Sequence, residues 1–230
     1  MHLPFKVSAL HKNFEELSLD DFNNGTVLLL DKPLTWTSFQ VVNKLKYFIL
    51  KKFGIKKIKI GHAGTLDPLA TGLLIICTGK ETKNIHIYQG QKKEYTGTFC
   101  LGATTPTYDL ESEIEEHFPT QHINEDLINE VKNSFVGEIV QTPPSHSAVK
   151  VNGVRAYKTA RQGIEVEIPS RTITIYDFEI SNYNLPNIDF KVTCSKGTYI
   201  RTLANDFGKK LQSGAHLSQL RRTKIGDFSL

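Results

Sequence analysis

The sequence predicts an α+β fold with a mixed, largely antiparallel central sheet flanked by helices. Some stretches alternate between apolar and polar residues like half-buried strands, and others carry apolar residues at helical spacing. Strands and helices alternate without a regular βαβ rhythm, which disfavours a doubly wound parallel sheet. The chain has 230 residues, of which 39% are hydrophobic and 23% charged, a composition typical of a globular protein.

The strands are expected where short apolar or alternating runs are bounded by turn-forming residues. These runs are Thr26–Leu30, Ile58–Ile60, Leu73–Cys77, Glu94–Leu101, Arg171–Ile180 and Ile188–Cys194. Helices are expected where a capping residue precedes an amphipathic stretch. One helix is capped by Thr37 or Ser38 and ends at Gly54, one is capped by Asn124 and closed by Gly137, and one carries Ile200, Leu203, Phe207 and Leu211.

Several classes of protein are excluded by simple features of the sequence. The longest apolar run is 73–77, whereas a membrane-spanning helix needs roughly 20 residues. The N-terminal residues contain no apolar core of a secretory signal. Cys77, Cys100 and Cys194 form no CxxC motif, and an odd number of cysteines argues against a disulfide framework. We therefore expect a cytoplasmic globular protein with no membrane association.

Positive charge is concentrated in two places. Lysines crowd residues 44–59 and Arg221, Arg222 and Lys224 crowd the end of the chain, whereas acidic residues cluster at 109–116. The formal net charge is only +4, so the placement says more than the total. A polarised charge distribution favours a polyanionic partner on one face, and a solvated lysine-rich helix end is an equally good interpretation.

The loop Gly61–Gly72, with the sequence GHAGTLDPLATG, is the most informative segment. Proline disfavours the α region at the preceding residue, so Asp67 is held extended or in a turn by Pro68. A carboxylate with a fixed direction suits a nucleophile or base, although an ordinary Asp-Pro turn has the same local sequence. The chain contains no P-loop, GxGxxG, HExxH or GxSxG motif, and its eight histidines show no metal-ligand spacing.

At this loop the sequence resembles the TruB-type tRNA pseudouridine synthases. The resemblance includes GHAGTLDPLATG with LLIICTGKETK, DKPLTWTS, KKEYTGTFCLGATTPTYD, CSKGTYIRTLANDFG and GAHLSQLRRTKIGDF, in the family's order. It implies a pseudouridine synthase-like fold and a uridine-to-pseudouridine isomerase that acts by base flipping on T-loop position 55 of tRNA. The reaction is an isomerisation without redox change, so neither a cofactor nor a metal is expected.

The resemblance also implies the site residues. Asp67 matches the family's catalytic aspartate, Arg201 the arginine that holds and aims it, and Tyr95 the active-site tyrosine. Tyr95 either stacks on the flipped base or helps to remove its C5 proton. The other matched or expected RNA-binding and pocket residues are His62, Tyr199, Leu220, Lys32, Asp109, Arg221 and Arg222. Lys32 with Pro33 matches a pair that supports the active-site loop.

Two positions depart from the family pattern. Thr35 and Ser112 stand where the family usually has glycine, which affects loop backbones rather than catalytic groups.

We expect one catalytic domain over 1–230 with its core at about 24–230, no C-terminal PUA domain, a monomer, and no obligate protein partner. Two alternatives remain at this point: a guide-RNA-dependent synthase of the dyskerin type, and a noncatalytic tRNA-binding or tRNA-folding protein on the same scaffold.

Overall fold

The computed structural model describes residues 3–151, 153–164 and 166–230. Its helices are α1 Leu19–Asn24, α2 Ser38–Phe53, α3 Ile85–Gly90, α4 Glu125–Asn133, α5 Ala156–Ala160 and α6 Ile200–Lys210, with two 3-10 helices at Phe14–Glu16 and Gly79–Asn84. Within the described residues no helix combines the length and the apolar character that a membrane span requires.

Each predicted run lies at or beside a strand of the structure, whereas several other strands, among them the long strand Ala215–Ile225, were not predicted. They are β1 Val7–Ala9, β2 Val27–Lys32, β3 Ile60–His62, β4 Ala70–Thr78, β5 Lys93–Leu101, β6 Ala103–Thr104, β7 Glu116–His117, β8 Gly137–Gln141, β9 Lys150–Val151, β10 Val154–Arg155, β11 Arg171–Asn184, β12 Asn187–Cys194, β13 Ala215–Ile225 and β14 Phe228–Ser229. Strands and helices are interspersed along the chain, which confirms the predicted α+β class.

The chain forms two compact units, Met1–Tyr95 with Arg221–Leu230, and Thr96–Leu220. We call them the first unit and the second unit. Strands β5 and β13 each contain a boundary between these ranges. The expectation of one catalytic domain over the chain stays a prediction.

In the first unit, β2 is paired on both sides. It pairs antiparallel with β1 and with β4, and β3 also pairs antiparallel with β4. Alternate residues of β2 and β4 point to opposite faces. One face, which includes Leu28, Leu30, Leu74 and Ile76, packs in a cluster with the apolar side of α2, and the other face packs with Ala63 and Ile225. Both faces are therefore buried, and α2 is fixed on one of them.

In the second unit, β11 pairs antiparallel with both β8 and β12. A group of phenylalanines contributed by several elements forms much of the core. Phe99 and Phe178 contact each other, and both contact Phe190 and Phe207, with ring centroids 4.1 to 6.3 Å apart. Through Phe207, these contacts pack α6, the helix that carries Arg201, against β5 and β11.

Local signals set the helix ends more accurately than they set the strands. Thr37 caps α2, Gly54 ends it in the left-handed conformation, and Asn124 caps α4, as expected. The end of α4 was predicted wrongly, because the helix stops at Asn133 and Gly137 instead begins β8. The expected strand at Ile58–Ile60 lies at Ile60–His62, where it pairs with Ile76–Thr78.

Candidate active site

The Asp67 loop connects β3 to β4 in the first unit. Gly72, at its end, has a φ of +98°, a conformation that side-chain-bearing residues rarely adopt. A Cβ at Gly72 would also clash with the backbone of Arg222. Glycine is therefore required at this position, both for the backbone conformation and for the close approach of β13.

Ser38, the first residue of α2, holds the loop one residue before Asp67. Its Oγ donates to the carbonyl of Leu66 at 3.0 Å and accepts from the Leu66 amide at 2.9 Å. Both residues are buried, so neither backbone group has water as a substitute partner. The hydroxyl thus fixes the backbone from which the Asp67 side chain projects.

Lys32 supports the loop on the other side of Asp67. Its fully buried ammonium donates to the carbonyls of Pro33, Trp36 and Pro68 at 2.8, 2.6 and 3.2 Å. Burial lowers the pKa of Lys32 from 10.5 to about 8, the nearby Asp67 carboxylate opposes this shift, and Arg222 adds to it. Lys32 therefore ties the loop to the start of α2 and places a cation near Asp67.

Arg222 is not placed as expected for a phosphate-binding side chain. It is 1% exposed, its Nε donates to the carbonyl of Leu73 at 2.8 Å, and its Nη2 donates to the carbonyl of Gly64 at 3.1 Å. The sequence showed that Arg222 belongs to a basic cluster, but it did not show that the Arg222 side chain is buried. Its guanidinium supports the Asp67 loop from β13.

Other predicted residues of the first unit have different surroundings. His62 is half-buried, and its Nδ1 has no hydrogen-bond partner among the described residues. Burial lowers the pKa of His62, a backbone hydrogen bond at Gly64 opposes this shift, and the Arg222 charge adds to it. Arg221 makes a two-bond ion pair with Asp31 at 2.9 and 2.8 Å, which raises the pKa of Arg221. Tyr95 is buried within β5. The first unit thus brings Lys32, Arg222 and His62 around the Asp67 loop.

Arg201 lies in the second unit and is almost fully buried there. Its Nη1 and Nη2 donate to the carbonyls of Thr107 and His146 at 3.0 and 2.9 Å, and its Nε lies 3.5 Å from Asp109 Oδ2. Asp109 also accepts from the Glu111 amide at 3.0 Å. These bonds join the start of α6 to the segments that follow β6 and β8, and they hold the guanidinium in one orientation.

Tyr199, which precedes α6, is held by two residues that sequence reasoning missed. The side-chain amide of Gln141 accepts from the Tyr199 amide at 2.8 Å and donates to its carbonyl at 3.1 Å. The Arg171 guanidinium lies 5.0 Å from the centre of the Tyr199 ring and also donates to Gly197. Gln141 on β8 and Arg171 on β11 are paired residues of neighbouring strands. No local sequence motif predicts this pairing. Leu220 is partly exposed on β13.

Ser112, one of the two departures from the family pattern, has a side chain that forms hydrogen bonds within its own loop. Its Oγ lies 2.8 Å from Thr107 Oγ1 and accepts from the Thr107 amide at 3.2 Å. Thr35, the other departure, has a φ of +68°, which explains why glycine suits that position.

The arrangement can hold an oriented carboxylate beside fixed cations. Lys32 and Arg222 donate hydrogen bonds to the loop backbone, and these bonds limit the motion of the segment that carries Asp67. Among the described residues, no group of three or more histidine, cysteine or carboxylate side chains is arranged to bind a metal ion.

Two family models match consecutive parts of the chain. The TruB family pseudouridylate synthase N-terminal domain matches residues 51–200, and the tRNA pseudouridylate synthase B C-terminal domain matches residues 201–230. Curated relatives named tRNA pseudouridine synthase B are 64% identical in Flavobacterium johnsoniae, covering 92% of this chain and 93% of that protein, and 56% identical in Phocaeicola vulgatus, covering 91% and 89%.

Two solved structures have a similar fold over nearly the whole chain. A Cbf5-Nop10-Gar1 complex matches with a TM-score of 0.65 and 28% identity, and an H/ACA RNP bound to a substrate RNA containing 2'-deoxyuridine matches with 0.62 and 25%. Each match covers 99% of this chain, which spans 60% and 59% of the two matched chains. The family models, which cover residues 51–230, and the curated relatives above show that the chain belongs to the TruB family of pseudouridylate synthases.

Proposed function

We propose that the chain converts uridine to pseudouridine in tRNA, at position 55 of the T-loop, with Asp67 as the catalytic carboxylate. The main support is the loop itself: Ser38, Lys32 and Arg222 hold three successive parts of it, at Leu66, Pro68 and Gly64. A pure binding surface has no need for a carboxylate fixed in this way. The relatives named tRNA pseudouridine synthase B support tRNA as the substrate.

The reaction requires three changes at the target nucleotide. The bond between N1 and C1′ breaks, the base turns while it remains bound, and C5 bonds to C1′. The C5 proton leaves and N1 gains a proton, so atoms balance without a cofactor. A stacked base must first be extruded into a pocket. An ionised Asp67 can attack the base or the sugar, or accept a ribose proton, and the three roles share the same need for a fixed, charged oxygen.

Tyr95 and Arg201 are assigned by the same family pattern. Tyr95 offers either a stacking surface for the flipped base or a hydroxyl near the C5 proton, and Tyr95→Phe separates these roles because it keeps the ring. If stacking is its role, Tyr95→Phe retains most of the rate of pseudouridine formation. If the hydroxyl takes part in proton removal, this rate falls although RNA affinity is kept. The orienting role of Arg201 is tested by Arg201→Lys, which keeps the charge and loses the planar fork.

The test uses the purified chain and an unmodified T-arm stem-loop, with no other protein present. Asp67→Asn is expected to abolish pseudouridine formation, mapped by carbodiimide treatment and reverse transcription, while RNA affinity stays close to that of the wild type. Asp177→Asn, the same change at an exposed position on β11, is the matched control. A near-normal rate for Asp67→Asn would overturn the assignment of Asp67. A wild-type chain that binds this RNA without modifying it would favour a noncatalytic or guide-dependent protein.

A further inference from the structure

A groove follows the solvent-facing side of α2 in the first unit. It has a volume of about 620 Å³, and its lining includes Trp36, Phe39, Gln40, Asn43, Lys44 and Tyr47. Phe39 is 70% exposed and Tyr47 is 55% exposed, although the opposite side of the same helix is fully packed in the core. Large aromatic side chains grouped on one exposed helix face indicate a binding surface.

The spacing of these side chains suits an extended ligand. Phe39, Asn43 and Tyr47 are separated by four residues each, so they form one row along the helix. At a rise of 1.5 Å per residue, the two aromatic positions are about 12 Å apart along the helix axis. This distance is too large for one planar group to contact both rings. It leaves room for consecutive planar groups of an extended ligand. The lining contains no residue of the Gly61–Gly72 loop.

The charge around the groove favours a polyanion. From residue 32 to residue 66 the sequence contains no aspartate or glutamate, and residues 44–59 contain seven lysines. Lys44 itself lines the groove, and Lys51 and Lys52 are exposed in the last turn of α2. Such a surface attracts phosphates and repels the positively charged segments of other proteins.

We infer that this groove, the α2 groove, binds unpaired nucleotides of the RNA substrate other than the one that is modified. Aromatic rings beside lysines are the usual means by which proteins hold single-stranded nucleic acid, since bases stack on the rings and phosphates pair with the lysines. Asn43 is exposed and offers amide groups to base edges, whereas the Oε1 of Gln40 is occupied in the capping box with Thr37. The identity of the RNA as tRNA rests on the function proposed above.

The experiment compares RNA affinity for Phe39→Ala and Tyr47→Ala, alone and together, with that of the wild type. The control is Tyr176→Ala, which removes another exposed aromatic ring, on β11. Fluorescence anisotropy with a full-length unmodified tRNA and with the T-arm stem-loop measures the dissociation constants at several KCl concentrations. Each single change is expected to weaken binding roughly 5- to 100-fold, the effect of losing one base–aromatic stack. Thermal unfolding followed by circular dichroism checks that the variants are folded.

The salt dependence separates stacking from charge. Phe39→Ala and Tyr47→Ala are expected to leave the slope of log affinity against log salt unchanged, whereas Lys44→Gln reduces its magnitude by about 0.7, the value for one single-stranded phosphate contact. Weakening with both RNAs places the bound nucleotides in the T-arm, and weakening with full-length tRNA alone places them elsewhere in the tRNA. Either result supports the groove.

Normal affinity of the folded double variant for both RNAs, equal to that of Tyr176→Ala, would overturn the inference. This outcome is independent of catalysis. If Phe39→Ala weakens RNA binding but the wild-type chain forms no pseudouridine, the proposed function is refuted and the inference about the α2 groove stands. A wild-type chain that forms pseudouridine while the Phe39 and Tyr47 variants bind normally would refute the groove and keep the function.

Discussion

Replacing Ser38 with alanine tests whether the bonds at Leu66 position Asp67. The substitution leaves the buried amide and carbonyl of Leu66 without the partner that the Ser38 hydroxyl provides at 2.9 and 3.0 Å. Each unsatisfied buried group costs about 1–3 kcal/mol, and alanine returns a few tenths of a kcal/mol as the better helix former. We therefore expect the free energy of unfolding to fall by about 2–5 kcal/mol, measured by urea denaturation.

The effect on catalysis is the stronger test. Misplacing a reacting group by about 1 Å can reduce the rate about 100-fold, so single-turnover pseudouridine formation by the folded Ser38→Ala variant should fall about 10- to 100-fold at saturating T-arm RNA. Thr37→Ala is the matched control, because Thr37 caps the same helix through Gln40 and makes no described bond to the loop. It should cost about 1 kcal/mol of stability and leave the rate unchanged. Equal rates for the two folded variants would refute the proposed positioning role.

Three further predictions concern residues around the same loop. The pKa of Lys32 is about 8 in the folded chain and 10.5 in the unfolded chain, so the unfolded chain binds more protons between these pH values. The free energy of unfolding should therefore rise by about 3 kcal/mol from pH 8 to pH 10.5, relative to the change in Lys32→Met, as measured by denaturant unfolding. Thr35→Gly should raise the free energy of unfolding by about 1 kcal/mol, because it relieves a left-handed β-branched residue; an unchanged or lower value would contradict this reasoning. Arg222→Lys keeps the charge but cannot reach the carbonyls of both Leu73 and Gly64, so it should lower stability by about 2–3 kcal/mol, whereas a surface phosphate contact would leave stability unaffected.

The parts of the fold that depend on neighbouring residues in the sequence could be predicted. Thr37, Gly54 and Asn124 satisfy or end a helix through bonds within one turn, so their types and positions identify the ends of α2 and the start of α4. Strand positions depend on a partner elsewhere in the chain. For this reason β3 lies two residues beyond its expected start, where it pairs with β4.

For the candidate site, the motifs pointed to residues but not to their surroundings. Asp67 stood out because of Pro68 and the family's loop sequence, and Lys32 because of its position before Pro33. Arg222 had the same basic neighbours in sequence as Arg221. Tertiary packing alone distinguishes them, since Arg221 pairs with Asp31 near the surface and Arg222 turns toward the Asp67 loop.

The amino-acid sequence by itself determined the α+β class, both ends of α2, the start of α4 and the family, because these follow from periodicity, capping chemistry and an ordered set of motifs. Only the tertiary structure decided which polar groups are buried together. Ser38 reaches Leu66 over 28 residues, and Gln141 reaches Tyr199 over 58. Such bonds form because a buried amide or carbonyl must find a partner once water is excluded, and the folded chain brings that partner from a distant segment.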